Sequence, residues 1–367
     1  MNNINVDLLT QVIGHYPLQG TIKEASPCVN GHINDTYRLS LAPESGPNQE
    51  LILQRINDHV FAEPEKVMHN IQEIAAHLRQ KNSAYDCDII SFMPTKDGRS
   101  CAVVNEQYWR LCHYVPNSVT YDFVDDSSLL YSAGYAFGQF QSMLADLPMD
   151  RLYETIPDFH HTRKRLDAFF ATVDKDPAGR AKEIEEDIAF FAEHRELACQ
   201  LMVMQEAGIL PLRVTHNDTK YNNILMHEET GEPLCVIDLD TVMPGLPAHD
   251  FGDAIRFAAN TAVEDEPDLS KVGLNMGKYR EFTRGFLQAC SGFLTEKEIE
   301  TLALGAITIT VELASRFLTD HIEGDKYFKI HRPNHNLERA RCQIALAQDM
   351  LGRYNEMQEI VMSSAQG

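Results

Sequence analysis

Tryptophan occurs once in the 367 residues, and none of the eight cysteines falls in a CxxC pair. Isolated cysteines in a chain this long argue against a disulfide frame or a zinc site, and they read as buried thiols of a reducing, cytoplasmic compartment. The 15 histidines form no HExxH pattern, so no zinc is expected. Positive charge is scarce: 32 Lys and Arg face 54 Asp and Glu, a formal charge of −22. No basic run offsets it, which excludes nucleic acid as an expected partner. An uninterrupted apolar run of about 18 residues is missing, so no membrane span is expected. The opening MNNINVDLLTQ has neither the basic region nor the apolar stretch of a signal peptide. No internal repeat or low-complexity tract stands out. The apolar share of 44% and charged share of 23% are ordinary for a globular protein, and the length suggests about two domains.

Periodicity divides the chain unevenly. Leu9, Val12, Ile13 and Tyr16 share one helical face, and short strands are predicted over 21–25, 37–42 and 51–57. The last two flank a turn-forming Glu44-Ser45-Gly46-Pro47-Asn48 and read as a hairpin. Val67, Ile71, Ile74 and Leu78 step as an amphipathic helix, and strands follow over 100–105 and 108–114. Beyond Pro116-Asn117-Ser118 the pattern is helical, except for a β insert at 211–240. Thr295 and Glu298 have the spacing of a capping box. The expected architecture is α+β: a small β-rich lobe over 1–115, a hinge near 114–118, and a larger helical lobe over 116–367.

The chemistry concentrates in His216-Asn217-Asp218-Thr219-Lys220-Tyr221-Asn222-Asn223, followed by the strand Val236-Ile237-Asp238-Leu239-Asp240. The spacing H-x-D-x-x-x-x-N, then I-D-x-D at a strand end, is the layout of a kinase catalytic loop and its metal site. Phosphoryl transfer needs an acceptor oxygen held in line with the γ-phosphate of ATP. Asp218 would take the hydroxyl proton, and His216 would brace the loop. Asn223 and Asp238 supply hard oxygen ligands suited to Mg²⁺. Asp240 could add a metal contact or a hydrogen bond to the site.

HNDTKYNNIL, VIDLD and the later HDFGD together resemble the aminoglycoside phosphotransferase and choline kinase-like family. Gly31-His32-Ile33-Asn34, Leu53-Gln54-Arg55-Ile56-Asn57, Thr241-Val242-Met243-Pro244-Gly245 and the segment from Arg316 to Asp325 are similar to its N-acetylhexosamine 1-kinase branch. The resemblance implies a two-lobed protein-kinase-like fold. It also implies ATP as co-substrate with Mg²⁺, and transfer to the anomeric hydroxyl of N-acetylglucosamine or N-acetylgalactosamine. Other readings stay open: a kinase for choline, methylthioribose, homoserine or an aminoglycoside, or a nucleotide-binding pseudokinase.

The remaining candidates are weaker. Gly31, His32 and Asn34 sit between two strands, where a loop could cover the triphosphate. The strand Leu51–Ile56 has no lysine; Gln54 occupies the slot and Arg55 should face away. The missing cation would be a bent-in Arg55, Lys220 or Arg38, and Glu73 is the helix acid that would pair with it. Asp250 reads as a helix N-cap and loop brace. Glu312, Arg316 and Asp320 recur at i, i+4 and i+8, as either a solvated ladder or a polar wall for the sugar. Tyr327 and Trp109 are candidate stacking faces. The acidic run from Glu264 to Asp268 reads as a solvated face.

Overall fold

The computed structural model describes residues 5–28, 33–81, 86–124 and 126–366. Asn5 caps helix α1 (Val6–Ile13) by accepting the Leu8 amide, and α1 buries Leu9, Val12 and Ile13. Strands β1 (Thr21–Cys28), β2 (Asp35–Ala42) and β3 (Gln49–Arg55) follow, then α2 (Pro64–Lys81). Next come β4 (Asp88–Ile89), β5 (Ala102–Val104), β6 (Gln107–His113) and β7 (Ser118–Val119). The first sheet has the order β1-β2-β3-β6-β5. Strand alternation sorts its two faces. Leu39, Leu41, Leu51, Leu53, Trp109 and Leu111 pack with α1 in a small core. The opposite face carries Gln54, in register with Thr36 of β2 and Arg110 of β6.

The helical part contains α3 (Ser127–Met143), α4 (Thr162–Lys175), α5 (Glu185–Ala198) and α6 (Gln200–Glu206). After these come β8 (Arg213–Thr215), β9 (Ile224–His227), β10 (Pro233–Val236) and β11 (Met243–Gly245). The chain continues through α7 (Pro247–Ala258), α8 (Met276–Ala289), α9 (Glu296–Glu300), α10 (Leu302–Glu323), α11 (His335–Gly352) and α12 (Tyr354–Ser364). The expected lobe division at 115 falls between β6 and β7. The two parts are nonetheless stitched together. β4 runs parallel to β10, in a sheet of order β4-β10-β9-β7. Val67, Ile71, Ile74 and Leu78 of α2 belong to the same large core as the later helices.

α10 runs through that core against α4, α7 and α11. It is long and apolar enough to cross a membrane by length and composition alone, which the run-length reading did not flag. However, 83% of its apolar window is buried inside the protein, and each fully buried Leu, Ile or Phe contributes about 1.5–3 kcal/mol. A Cβ on Gly252 of α7 would lie 2.3 Å from the Gly305 carbonyl oxygen, and one on Gly305 would lie 2.1 Å from that of Ala248. Both helices therefore need glycine to approach this closely. All eight cysteines are free, seven of them buried, and the Thr295–Glu298 capping box is formed.

Candidate active site

The loop between β8 and β9 is pinned from three directions. His216 is wholly buried and packs edge-on against Phe137 and Phe140, 5.8 Å from each ring. Its Nε2 lies 2.9 Å from the Ile237 carbonyl. A carbonyl only accepts, so Nε2 carries the hydrogen and Nδ1 is left to accept the Asp218 amide at 3.3 Å. Asn217 has a φ of 64°. The amides of His216 and Asn217 donate to the two carboxylate oxygens of Asp250, at 2.8 and 2.7 Å. Asp250 therefore braces the loop. It is not the N-cap of α7: that position is Leu246, which makes no side-chain cap. Burial pushes the Asp250 carboxyl up from its ordinary range.

Asp218 emerges from this frame a quarter exposed, with Lys220 Nζ 3.2 Å away. Asn223, on the turn Tyr221–Asn223, donates its Nδ2 to the Asp218 carbonyl and carboxylate at 2.8 and 3.0 Å. Burial opposes ionisation of Asp218. The Lys220 ammonium and the Asn223 amide outweigh it and hold the carboxyl below its usual range. The loop thus presents an ionised, oriented acceptor beside a fixed cation, the requirement for aligning a hydroxyl and stabilising a transferring phosphoryl group.

Asp238 has a φ of 59°, an uncommon conformation for a side-chain-bearing residue. Its carboxylate, open to the cleft, has no hydrogen-bond or ion-pair partner among the described residues. Desolvation first, then the charges of Asp240 and Asp218, push it up to about 6, against Arg110 and Lys220. Asn223 commits its Nδ2 to Asp218, and its Oδ1 has no partner among the described residues. No group of three or more His, Cys, Asp or Glu suited to a metal forms among the described residues. One needy carboxylate and one free amide oxygen still fit Mg²⁺, which keeps several waters and shares phosphate oxygens. These two residues would hold the ion, and when bound it would offset phosphate charge. Of the two roles open to Asp240, a metal contact or a hydrogen bond, the structure shows the hydrogen bond. Arg110 takes both of its oxygens at 2.5 and 3.0 Å, and Asn34 Nδ2 donates to one at 2.8 Å.

Sequence reasoning missed Arg110, a buried cation on β6 in register with Gln54 of the third strand. It is 1% exposed and bonds Gln54 Oε1 at 2.9 Å as well as Asp240. It thereby ties the first sheet to the I-D-x-D strand. The signal was present: an arginine in an apolar strand, on the face opposite Trp109 and Leu111, needs a buried partner. Arg55 does not bend in; it pairs with Asp35 at the half-exposed strand end. Arg38 pairs with Glu50 and lies over Tyr114. Glu73 pairs with Arg151 rather than with a strand cation. Asn34 also accepts the Asn57 amide at 3.0 Å. Gly31 and His32 lie outside the described residues.

Beside Asp218 opens a cavity of about 720 Å³ between the catalytic loop, α7, α10 and the segment after α10. Only part of the expected i, i+4, i+8 wall faces it. Glu312 is 1% exposed and accepts from His160 Nδ1 at 2.9 Å and Thr162 Oγ1 at 2.6 Å. His160 Nε2 meets the Asn217 carbonyl at 2.9 Å. Both ring nitrogens face acceptors, so His160 is an imidazolium. Desolvation works against both charges. Their mutual attraction prevails, raising the His160 pKa and holding Glu312 at about 2. Neighbouring His249 is kept neutral by burial, with its pKa lowered to about 3. Glu312 thus positions the catalytic loop from behind.

Asp320 also departs from the sugar-wall reading. It accepts the amides of Lys326, Tyr327 and Phe328 at 2.8–2.9 Å and shapes the loop that carries Tyr327. Arg316 does line the cavity, placed between Phe159 and Phe328 at 5.5 and 5.8 Å, with no carboxylate partner among the described residues. Tyr327 is exposed on the same cavity, whereas Trp109 is buried in the small core. Glu264, read as a solvated charge, instead reaches buried Arg256 at 2.7 Å.

Solved structures share this fold at low identity. A microcompartment-associated aminopropanol kinase is 14% identical, over 96% of this chain and 99% of its own, with a TM-score of 0.63. A spectinomycin phosphotransferase, in complex with ADP and spectinomycin, is 13% identical over 98% of both chains, with a TM-score of 0.57. An ethanolamine kinase from Plasmodium vivax is 13% identical, over 87% of this chain and 82% of its own, with a TM-score of 0.53. The fold is therefore that of small-molecule kinases with a protein-kinase-like, two-lobed design. Residues 24–282 match the phosphotransferase enzyme family, a span holding the catalytic loop, the I-D-x-D strand and Arg110, and the chain belongs to that family.

Proposed function

We propose that this phosphotransferase moves the γ-phosphate of ATP, with Mg²⁺, to the anomeric hydroxyl of an N-acetylhexosamine, giving the sugar 1-phosphate. One observation carries the choice of acceptor. Every carboxylate lining the cavity already has a donor: Asp253 and Glu264 on Arg256, Asp265 on Arg332 and His335, Glu312 on His160, Asp218 on Lys220, and Asp122 on Asn222. Arg316, Lys326 and Lys329 line the same cavity with no carboxylate partner among the described residues. Such a lining disfavours cationic acceptors such as aminoglycosides, choline and ethanolamine, and suits a neutral polyol whose product gains negative charge. Arg316 and Tyr327 are the groups we assign to the sugar. Asp218 would orient the hydroxyl and receive its proton, while Lys220 would face the phosphoryl group in flight. Free thiols throughout the chain fit a reducing compartment.

The test is ADP release with MgATP against N-acetylglucosamine, N-acetylgalactosamine, glucose, choline, ethanolamine, homoserine, methylthioribose and kanamycin, with ³¹P NMR of any product. Turnover on the acetylated sugars, with phosphate on the anomeric carbon, is the expected result. Turnover confined to the amino alcohols or kanamycin would overturn the acceptor assignment and leave the catalytic loop's role standing.

A further inference from the structure

The wall of the cavity formed by α7 and α11 contains two polar atoms that the protein itself does not satisfy. Asp253, 6% exposed, gives one carboxylate oxygen to Arg256 at 2.7 Å, and its Oδ2 has no partner among the described residues. Gln343, fully buried, turns its Oε1 toward the same guanidinium at 3.4 Å, and its Nε2 has no partner among the described residues. Both residues line the cavity that holds Asp218. Asp253 also lies within electrostatic reach of Lys220 and of His160, the groups flanking the catalytic loop. Phe257 and Ala262 supply apolar surface to the same cavity.

Buried polar atoms are nearly always paired in a working protein, and those that are not point to a ligand or an ordered water. Here one orphan is an acceptor and the other a donor, each oriented through Arg256. A secondary amide offers the complement: an N–H for the acceptor, a C=O for the donor, and a methyl group for the apolar surface. In a 2-acetamido sugar that amide sits on the carbon next to the anomeric centre. A group read there must lie close to the base that aligns the reacting hydroxyl; Asp253 lines the same cavity as Asp218 and lies within electrostatic reach of its partner Lys220.

We propose that Asp253 and Gln343, oriented by Arg256, form an amide-reading notch: Asp253 Oδ2 accepts the acetamido N–H, and Gln343 Nε2 donates to its carbonyl. The proposal rests on the N-acetylhexosamine reading above and names the residues that enforce it.

The experiment compares kcat/KM for N-acetylglucosamine, glucosamine and 2-deoxyglucose in the wild type, Gln343→Met and Gln343→Glu. Sites built to hydrogen-bond a substrate group discriminate strongly against analogues that lack it. The wild type should prefer N-acetylglucosamine over 2-deoxyglucose by at least about 10²-fold, a comparison that needs no variant to fold. Gln343→Met removes the donor at nearly constant volume and should cut that preference by about tenfold or more. Gln343→Glu keeps the oxygen facing Arg256, replaces the donor with an acceptor, and should shift selectivity toward the ammonium of glucosamine. A wild type that does not distinguish the acetamido group from hydrogen would overturn the notch. So would an active Gln343 variant whose acceptor rates all fall by the same factor, because that is the mark of a structural role. A wild type inert on every N-acetylhexosamine would overturn the acceptor reading first, and the notch with it.

Discussion

The link from Arg110 to Asp240 offers a sharp test of how the two parts of the molecule are joined. Arg110→Met keeps the unbranched stem and removes both bonds to Asp240 and the one to Gln54. Asp240, 2% exposed, would then keep only the Asn34 amide while still facing the charge of Asp238. Breaking a buried ion pair from one side costs about 3–5 kcal/mol, whereas removing both charges together is far milder. Arg110→Met should therefore lower the thermal midpoint by roughly 6–10 °C, at about 2 °C per kcal/mol for a large chain. Arg110→Met with Asp240→Asn should recover more than half of that loss, a coupling of about 2–4 kcal/mol. Differential scanning calorimetry of the wild type, both single variants and the double variant completes the cycle. A single variant within about 1 °C of the wild type, or a double variant as unstable as the two singles combined, would refute the reasoning.

Asp218→Asn should lower kcat by at least about 10²-fold while calorimetry still shows MgATP binding; near-normal turnover would remove Asp218 as the base. Asp238 has a folded pKa of about 6, above the ordinary 3.8. Its contribution to stability is therefore fully present below about pH 4 and lost as pH rises through 6. Binding Mg²⁺ needs the ionised form, so MgATP affinity should climb by up to about tenfold per pH unit toward 6 and then level off; calorimetry showing a flat profile from pH 5 to 7 would place the metal elsewhere. Glu312→Gln removes the counter-charge of His160 and so loosens the Asn217 carbonyl. We expect kcat to fall about 10- to 10²-fold at unchanged KM for ATP, with rate regained only below neutral pH, because burial holds the His160 pKa down once Glu312 no longer raises it; a flat profile would assign Glu312 to packing alone.

Local pattern carried the helices, the β2–β3 hairpin and the Thr295 capping box. It also carried the strands on either side of the 216–223 loop, because each needs only a few neighbouring residues to be recognised. Strand alternation likewise put Gln54 on the cleft face and Arg55 on the other. The misreadings share a cause: each depended on a partner far away in sequence. Asp240 looks like a ligand until Arg110, 130 residues earlier, takes both its oxygens. Asp320 looks like part of a wall facing the cavity, but the 326–328 amides claim it, and Glu312, which does line the cavity, is already held by His160. Glu264 sits in an acidic run that composition alone assigns to solvent, and Arg256 draws it into the cavity. Helical spacing shows which residues share a face and leaves open what that face meets.

The Gly252–Gly305 contact bears on how this enzyme could change. α7 carries Asp250, Asp253 and Arg256, and α10 carries Glu312 and Arg316. With backbone against backbone at the crossing, the gap between these helices is already at its minimum, and no side-chain change can narrow it. Widening it with any larger residue would pull the loop brace Asp250 away from the His160–Glu312 prop, so a roomier pocket would arrive with a misaligned base. The segment over 326–331 has no such constraint. Lys326, Tyr327, Lys329 and Ile330 are exposed there, held by Asp320 through main-chain amides that most side chains leave intact. Divergence toward new acceptors, natural or directed, should therefore accumulate at this rim and spare the two helices.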